Sequence, residues 1–201
     1  MYKKYKTFLS RYITLNVAEW NILKLKLKIE RYRKGDTIHS MGDICSKLAF
    51  INSGLARAYM ISEDGKDYTW SIFFNDENSE MVNLFVVDYN SFINKRESSL
   101  YIEVLEDCEL VTLEYSDIEF LYKRFKNGER FGRLMSQEAY SYLHNMVIDR
   151  QLKSAKERFD DFMQTTPYLL DKVPQYHIAT FLGITPQHLS RLKNDRLSPK
   201  S

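Results

Sequence analysis

The chain has 201 residues, of which 44% are apolar and 28% are charged. This is the composition of a globular protein and excludes a disordered or fibrous chain. No run approaches the roughly 18 consecutive apolar residues that a membrane-spanning helix needs, and no apolar signal segment follows the basic N-terminus. The two cysteines, Cys45 and Cys108, are too few for a disulfide framework or a cysteine-only metal cluster. We therefore expect a cytoplasmic protein that binds no metal, cofactor or membrane.

The net charge of +2 is distributed unevenly. The segment from Asp76 to Glu119 contains twelve acidic residues and two basic ones, whereas residues 150–201 carry four more basic than acidic residues. A surplus of this size usually belongs to a solvated surface. A basic C-terminal part is nevertheless compatible with a polyanionic partner.

Residues 1–28 have a mixed apolar pattern without Gly or Pro and are predicted to be helical. Between Ile29 and Tyr115 the sequence instead predicts short strands, rich in β-branched and aromatic residues. Turn signals such as Asn52-Ser-Gly and Glu63-Asp-Gly separate these strands. Many short strands at this spacing are typical of an antiparallel barrel or sandwich.

The β pattern stops after Tyr115. Ser116 and Glu119 have the spacing of a capping box, which predicts a helix to about Phe125. A helical stretch without proline follows over residues 129–163, far longer than the average helix. Its apolar seam, with spacings of four, three and four, consists of Met135, Ala139, Tyr142 and Met146. This face either packs on the β domain or, as we predict, forms the interface of a homodimer.

The most specific pattern lies between Gln175 and Asn194 and predicts a helix-turn-helix. Such a motif needs a small residue where its two helices come closest, which Ala179 supplies, and a residue tolerant of positive φ in the turn, which Gly183 supplies. Thr185 can cap the second helix, and Pro186 suits its first position. The other residues of this small core are Ile178, Leu182, Ile184, Leu189 and Leu192.

A generic pair of short helices would fit this pattern only rarely, so we interpret it as a DNA-binding motif. The N-terminal residues of the second helix would then reach base edges in the major groove. Arg191 suits guanine and Gln187 suits adenine, because each can make two parallel hydrogen bonds. The predicted DNA-binding residues are Thr185, Pro186, Gln187, His188, Ser190, Arg191 and Lys193.

The order of these elements resembles the Crp/Fnr transcription regulators over essentially the whole chain. Five phrases carry the resemblance, and they are similar to the branch common in Bacteroidetes-type bacteria: Phe50-Ile-Asn-Ser-Gly-Leu-Ala-Arg, Glu63-Asp-Gly-Lys-Asp-Tyr-Thr, Glu103-Val-Leu-Glu-Asp, Ser154-Ala-Lys-Glu-Arg-Phe and Ile178-Ala-Thr-Phe-Leu-Gly-Ile-Thr-Pro-Gln-His-Leu-Ser-Arg-Leu. The resemblance implies an α+β chain with an antiparallel, cyclic-nucleotide-binding-like β-roll, a long dimerisation helix and a DNA-binding head. It also implies three partners: near-palindromic double-stranded DNA, a second copy of the chain and RNA polymerase.

The sequence departs from the family at the cassette that binds the cyclic nucleotide. Nucleotide-binding members have a Gly-Glu-Leu turn for the ribose and an Arg-Ser/Thr-Ala segment for the phosphate, but the matching positions here are Glu80-Met81-Val82 and Ser98-Ser99-Leu100. An arginine is the natural partner of a buried phosphate, and Arg96 stands two residues too early. We therefore expect no response to cyclic AMP. An unidentified small molecule remains an alternative effector, within a roll rich in aromatic residues: Trp70, Phe73, Phe74, Phe85, Tyr89 and Phe92.

The predicted domains are a β-roll with flanking helices (1–128), a dimerisation helix (129–153) and a helix-turn-helix domain (154–201). The residues after Lys193 leave little or no room for the family's β-hairpin wing, so Arg196 and Lys200 would take over its phosphate contacts. We predict a homodimeric DNA-binding transcription regulator. The alternative is a degenerate β-roll sensor or interaction module that no longer binds DNA specifically. An enzyme is not expected, because the sequence has no nucleophile elbow, P-loop or zinc-protease motif.

Overall fold

The computed structural model describes residues 2–197, which form an antiparallel sheet flanked by helices. The strands are β1 (Lys28–Tyr32), β2 (Thr37–His39), β3 (Lys47–Ile61), β4 (Asp67–Phe73), β5 (Phe85–Val86) and β6 (Tyr101–Glu114). The helices are α1 (Lys3–Leu9), α2 (Val17–Lys26), α3 (Met81–Leu84), α4 (Tyr89–Asn94), α5 (Tyr115–Arg124), α6 (Lys126–Leu152), α7 (Ala155–Thr165), α8 (Leu169–Lys172), α9 (Gln175–Leu182) and α10 (Pro186–Leu197).

The predicted N-terminal helical segment consists of two helices, α1 and α2. Asn16 separates them, because its side-chain oxygen accepts a hydrogen bond from the Glu19 backbone N–H at 2.9 Å. The Glu19 carboxylate accepts one from the Asn16 backbone N–H at the same distance. This reciprocal capping box fixes the start of α2, and its Asn-x-x-Glu spacing is visible in the sequence.

Two long strands, β3 and β6, form the centre of the sheet. The strand order is β1-β6-β3-β4, while β2 also pairs with β6 and β5 with β3. All of these pairings are antiparallel. Strand β6 runs without a break from Tyr101 to Glu114, and β3 continues across Asn52-Ser-Gly, so both are longer than the short strands predicted.

Gly54 shows why the turn predicted at Asn52-Ser-Gly is wrong. Strand β3 continues through this site, and its register against β6 shifts on both sides of Ser53. Gly54 has a φ of +96°, and a Cβ at this position would overlap the carbonyl oxygen of Asp107. The glycine thus permits a close approach of two irregular strands and does not reverse the chain.

The helices after the sheet also differ in detail from the prediction. Helix α5 begins at Tyr115, and its N-cap Glu114 makes no side-chain cap bond, so the capping box predicted at Ser116 is wrong. The stretch predicted over 129–163 is divided into α6 and α7. Ser154 starts α7 through a capping box with Glu157, and this break lies beside the domain boundary predicted after residue 153.

The sheet and the C-terminal helices share one hydrophobic core. Leu55, Ile72, Phe74 and Leu105 from the sheet region pack with a set of buried residues from the C-terminal helices. That set includes Phe159, Phe162, Leu169, Val173, Ile178, Leu182 and Leu189. A second core joins α1, α2, α5 and the first half of α6 to the opposite part of the sheet. In residues 2–197, no helix is long and apolar enough to cross a membrane.

Candidate nucleic-acid interface and sensor cavity

Helices α9 and α10 meet at a tight turn that is built on Gly183. Gly183 ends α9 with a φ of +68°, in the left-handed region. Its N–H donates to the Thr180 carbonyl at 3.1 Å, and the N–H of Ile184 donates to the Ala179 carbonyl at 2.9 Å. These two bonds reverse the chain in the manner of a glycine C-cap, as the sequence pattern predicted.

The small core predicted for this helix pair is present. Ile178, Ala179 and Leu189 are fully buried, Leu182 and Leu192 are nearly so, and Ile184 packs against the same cluster. The angle between α9 and α10 is therefore set by packing. Because its inner face is packed, α10 presents its outer face to a ligand in a fixed orientation.

The outer face of α10 is polar and exposed. Thr185 caps this helix by accepting a hydrogen bond from the His188 backbone N–H at 3.2 Å. Of the predicted DNA-binding residues, Pro186 and Lys193 are half-buried, whereas the exposed ones are Thr185, Gln187, His188, Ser190 and Arg191. Within residues 2–197, neither Arg191 nor Lys193 forms an ion pair. Arg196 lies 3.5 Å from Asp160, and Lys200 is outside the described residues.

Helix α9 is docked on strand β4 of the sheet through polar contacts as well as the shared core. The Thr180 hydroxyl accepts a hydrogen bond from the Thr69 backbone N–H at 3.1 Å and lies 3.2 Å from the Thr69 hydroxyl. The Tyr176 hydroxyl donates to the Asp67 carbonyl at 3.2 Å. The first helix of the predicted DNA-binding head is thus held by the sheet.

A buried arginine organises the strand that carries these contacts. The Arg57 side chain in β3 lies 2.9 Å and 3.2 Å from the two carboxylate oxygens of Asp67 and donates to Glu103 at 2.6 Å. It also donates to the Thr69 hydroxyl at 3.0 Å and stacks 4.1 Å from the centre of the Tyr59 ring. Arg57 is 2% exposed, so this network compensates for most of the water that the guanidinium loses, with hydrogen bonds for four of its five N–H groups.

His177 on α9 faces the same network. Its Nδ1 atom lies 3.7 Å from an Asp67 oxygen but is buried without a hydrogen-bond partner in the described structure. Burial lowers the pKa of His177, and the neighbouring Arg57 lowers it further, while Asp67 and Glu103 act in the opposite direction. The missing hydrogen bond agrees with a neutral ring, so burial and Arg57 prevail over the carboxylates.

Sequence reasoning did not identify this network. Thr69 and Thr180 are 111 positions apart, and nothing in their local sequence indicates that they meet. Arg57 did leave a signal, because a single arginine stands inside the apolar run Leu55-Ala-Arg-Ala-Tyr. A charge in the middle of a buried strand requires partners.

A cavity of about 470 Å³ lies on the other side of β4, between the sheet, α3, α4 and α6. Trp70, Ser71 and Phe73 of β4 line it, together with Met135 and Tyr142 of α6. Strand β4 is therefore a wall one strand thick, with the cavity on one face and α9 on the other.

Only some positions of the degenerate cassette line the cavity. Met81, Val82, Ser99 and Leu100 line the cavity, whereas Glu80 and Ser98 do not. The Ser98 hydroxyl is instead buried and donates to Asp88 at 2.6 Å. Arg96 is exposed and is not among the lining residues. Within residues 2–197, no group of three or more His, Cys, Asp or Glu side chains is placed to hold a metal ion.

The aromatic residues predicted around the effector site are distributed over three regions. Trp70, Phe73, Phe85 and Tyr89 line the cavity. Phe74 belongs to the core shared with the C-terminal helices, and the sixth residue, Phe92, belongs to the core around α1.

The seam predicted on α6 points towards the chain's own sheet. Met135 is 5% exposed and belongs to the core, while Ala139, Tyr142 and Met146 line the cavity. The exposed apolar side chains of α6 are a different set: Tyr140, Leu143, Val147, Ile148 and Leu152. The interface therefore stays a prediction, and the geometry adds this second set to it.

Comparison with known proteins gives the class of the fold. Residues 29–125 match the family model of the cyclic nucleotide-binding domain. The chain is similar to a candidate Crp/Fnr-family transcriptional regulator from Eubacterium rectale, with 19% identity, 91% of this chain and 84% of that chain covered, and a TM-score of 0.67. It is also similar to FixK2 from Bradyrhizobium japonicum, with 16% identity, coverage of 84% and 83%, and a TM-score of 0.70.

A third similar structure is the catabolite activator protein of Thermus thermophilus, with 18% identity, coverage of 92% and 85%, and a TM-score of 0.54. No curated protein sequence matches this chain. Residues 29–125 thus match the cyclic nucleotide-binding domain family, and the chain has the fold of the Crp/Fnr-type regulator structures to which it is similar. The predicted resemblance and the predicted α+β fold class are confirmed.

Proposed function

We propose that the protein is a homodimeric transcription regulator that binds double-stranded DNA through α10. The observation that carries this proposal is the outer face of α10. That face presents Gln187, Ser190 and Arg191 to solvent, while Leu189 and Leu192 anchor the inner face. A rigid helix with a polar, partly basic outer face is what insertion into a major groove requires.

The proposed roles on this helix follow from side-chain chemistry. Arg191 reads guanine and Gln187 reads adenine, each by two parallel hydrogen bonds. Thr185 and Ser190 contact phosphates beside the helix N-terminus, where backbone N–H groups favour an anion. Lys193 adds a phosphate contact, and Pro186 and His188 approach the backbone of the DNA. RNA polymerase is the proposed partner of the DNA-bound protein.

A dimer is proposed because α6 exposes an apolar stripe along its outer side. Tyr140 is 70%, Leu143 43% and Val147 44% exposed. Their spacing of three and four residues is that of a coiled-coil seam. A second α6 is the complementary surface, since a twofold axis would pair the stripe with itself. Two heads would then enter major grooves about 34 Å apart and select a near-palindromic site.

The proposed regulator does not respond to cyclic AMP. In the described structure, no arginine or lysine lines the cavity, so a bound cyclic phosphate would be buried without a counter-charge. The proposal also assigns no catalysis to the chain.

The test is selection of DNA from a random pool by the full chain, followed by fluorescence anisotropy with selected and scrambled duplexes. We expect tighter binding to the selected duplex and a steep loss of affinity as salt rises, because phosphate contacts release counterions. The control for Arg191→Ala is Arg33→Ala, which removes an exposed arginine from the turn after β1. It should leave the affinities for the selected and the scrambled duplex unchanged. Equal affinity for selected and scrambled DNA would instead favour the alternative, a sensor or interaction module without specific DNA binding.

A further inference from the structure

We propose that the cavity between β4 and α6 binds an uncharged, largely apolar small molecule, and that this molecule is the effector of the regulator. That this molecule acts as an effector rests on the proposed function. Binding of the molecule in the cavity does not depend on that function. With a volume of about 470 Å³, the cavity has the size of a typical site for a drug-sized ligand.

The lining favours an apolar guest. Aromatic side chains of Trp70, Phe73 and Phe85 provide flat faces. Four methionines also line the cavity, namely Met60, Met81, Met135 and Met146. Methionine is flexible and polarizable, so a methionine-rich wall adapts to an irregular apolar shape.

The charge of the lining excludes an anion. Asp88 is the one charged residue among the lining residues that the structure describes. Its carboxylate is buried and held in place, because it accepts hydrogen bonds from the backbone N–H groups of Asn90 and Ser91 and from the Ser98 hydroxyl. A fixed negative charge in an apolar wall repels an anionic group, and this repulsion is weakly screened inside a protein. Since the oxygens of Asp88 are already engaged, it is also a poor partner for a cation.

Several polar groups on the lining remain to orient a guest, among them those of Trp70 and Tyr142 and the hydroxyls of Ser71 and Ser99. In residues 2–197, the Trp70 indole N–H and the Tyr142 hydroxyl have no hydrogen-bond partner. Burial raises the pKa of Tyr142, so its hydroxyl stays a donor at neutral pH. Two donors suit a neutral ligand that carries a carbonyl, ether or hydroxyl oxygen.

The alternative occupant, the partner's helix, does not fit this cavity. The cavity lies between α6 and the sheet of the same chain, whereas Tyr140 and Val147 point away from it. A second chain packed on that outer stripe would cover the mouth near Leu143 and leave the interior empty.

A matched pair of fluorescent probes tests the class of ligand. N-phenyl-1-naphthylamine is neutral, and 1-anilinonaphthalene-8-sulfonate is the same molecule with one added sulfonate. With the full chain and no DNA, we expect saturable binding of the neutral probe, one per chain, at least tenfold tighter than binding of the sulfonate or of cyclic AMP. Equal or tighter binding of either anion would overturn the proposal.

Cavity-filling variants test the location. Ala139→Phe, inside the cavity, and Ser99→Phe, at its exposed mouth, should each weaken the neutral probe at least tenfold. The control Gln137→Phe, on the solvent face of α6, should not. Ser99→Arg adds a cation at the mouth of the cavity and should therefore reduce the difference in affinity between the neutral probe and the sulfonate. Unchanged probe binding in Ser99→Phe, which leaves the core intact, would overturn the proposal even if Ala139→Phe fails to fold. Because no DNA is present, loss of the proposed DNA binding would not affect these results.

Discussion

Arg57 illustrates how much of this fold depends on one buried charge. Its guanidinium joins β3, β4 and β6 through Asp67, Thr69 and Glu103. Removing it leaves the carboxylates of Asp67 and Glu103 without their shared cation in a partly buried site, where their repulsion is only partly screened. A partner lost from a buried pair therefore costs much more than one lost from the surface.

We predict that Arg57→Ala lowers the free energy of unfolding by about 3 kcal/mol, within the range for broken buried ion pairs. Urea unfolding followed by tryptophan fluorescence measures this. The matched control is Arg31→Ala, which removes an exposed arginine paired with Glu109 and should cost less than about 1 kcal/mol. Similar losses in the two variants would mean that the Arg57 network is not a major source of stability.

Arg191 is the residue at which sequence readout is tested. Arg191→Ala should weaken binding to the selected duplex by about 1–3 kcal/mol and binding to random DNA much less. Lys193→Ala should weaken both about equally and reduce the salt slope by about one, because it contacts phosphate. Both are measured by anisotropy across a salt series. If Arg191→Ala costs the same on both duplexes, Arg191 positions the protein and does not read bases.

His177 should make the stability depend on pH in a defined direction. Because its pKa is lowered in the folded chain, the unfolded state takes up the proton first as pH falls. The contribution of the neutral ring is thus complete above the unfolded pKa of about 6.5 and decreases below it. We expect His177→Gln to lose less stability than the wild type between about pH 7.5 and about pH 5.5. His39→Gln should reduce the pH dependence in the same direction, because burial also lowers the pKa of His39. A pH dependence of stability that is unchanged in His177→Gln would contradict the prediction.

At the scale of elements, the local signals around Gly183 were reliable, whereas the capping box predicted at Ser116 and the turn predicted at Asn52-Ser-Gly were wrong. Gly183 and Thr185 act within a few residues of themselves, so the turn and the start of α10 could be predicted from the sequence. The role of Gly54 depends on Asp107, 53 positions away, and its turn-like sequence was therefore misleading. The docking of Thr180 on Thr69 likewise depends on tertiary structure alone.

Helix α6 shows the limit of a periodic pattern. The sequence contains two apolar stripes on this helix, and periodicity alone does not decide which one faces the sheet. The structure places the stripe from Met135 to Met146 against the core and the cavity and exposes Tyr140 and Val147, while Leu143 is exposed but also lines the cavity mouth.

We predict that the double variant Leu143→Glu, Val147→Glu is monomeric, because two charges on each α6 would be buried against like charges across a twofold axis. Light scattering at several protein concentrations measures the mass. The matched comparison is the double variant Tyr142→Glu, Met146→Glu, on the inner stripe. We expect it to lower the free energy of unfolding and to keep the mass of a dimer. A dimer that survives in the first variant would place the interface elsewhere.

For the whole molecule, the shared core predicts a single unfolding transition. Leu55, Ile72 and Phe74 from the sheet region pack with Phe159 and Ile178 from the head, so neither part can unfold without exposing apolar surface of the other. Calorimetry should therefore give a calorimetric enthalpy close to the van't Hoff enthalpy. Leu169→Ala, in the head, should move the entire transition to lower temperature. Two resolved transitions would show that the head and the sheet are independent units.

The single-strand wall has a consequence for how this protein can evolve. In β4, Trp70, Ser71 and Phe73 face the cavity, while Asp67, Thr69 and Ile72 hold α9. Under the proposed function, substitutions that are selected for a new ligand alter the same seven-residue strand that supports the proposed DNA-binding head. Ligand choice and head position would then be inherited together, and a lineage that changes its signal would have to adjust its regulatory output in the same step.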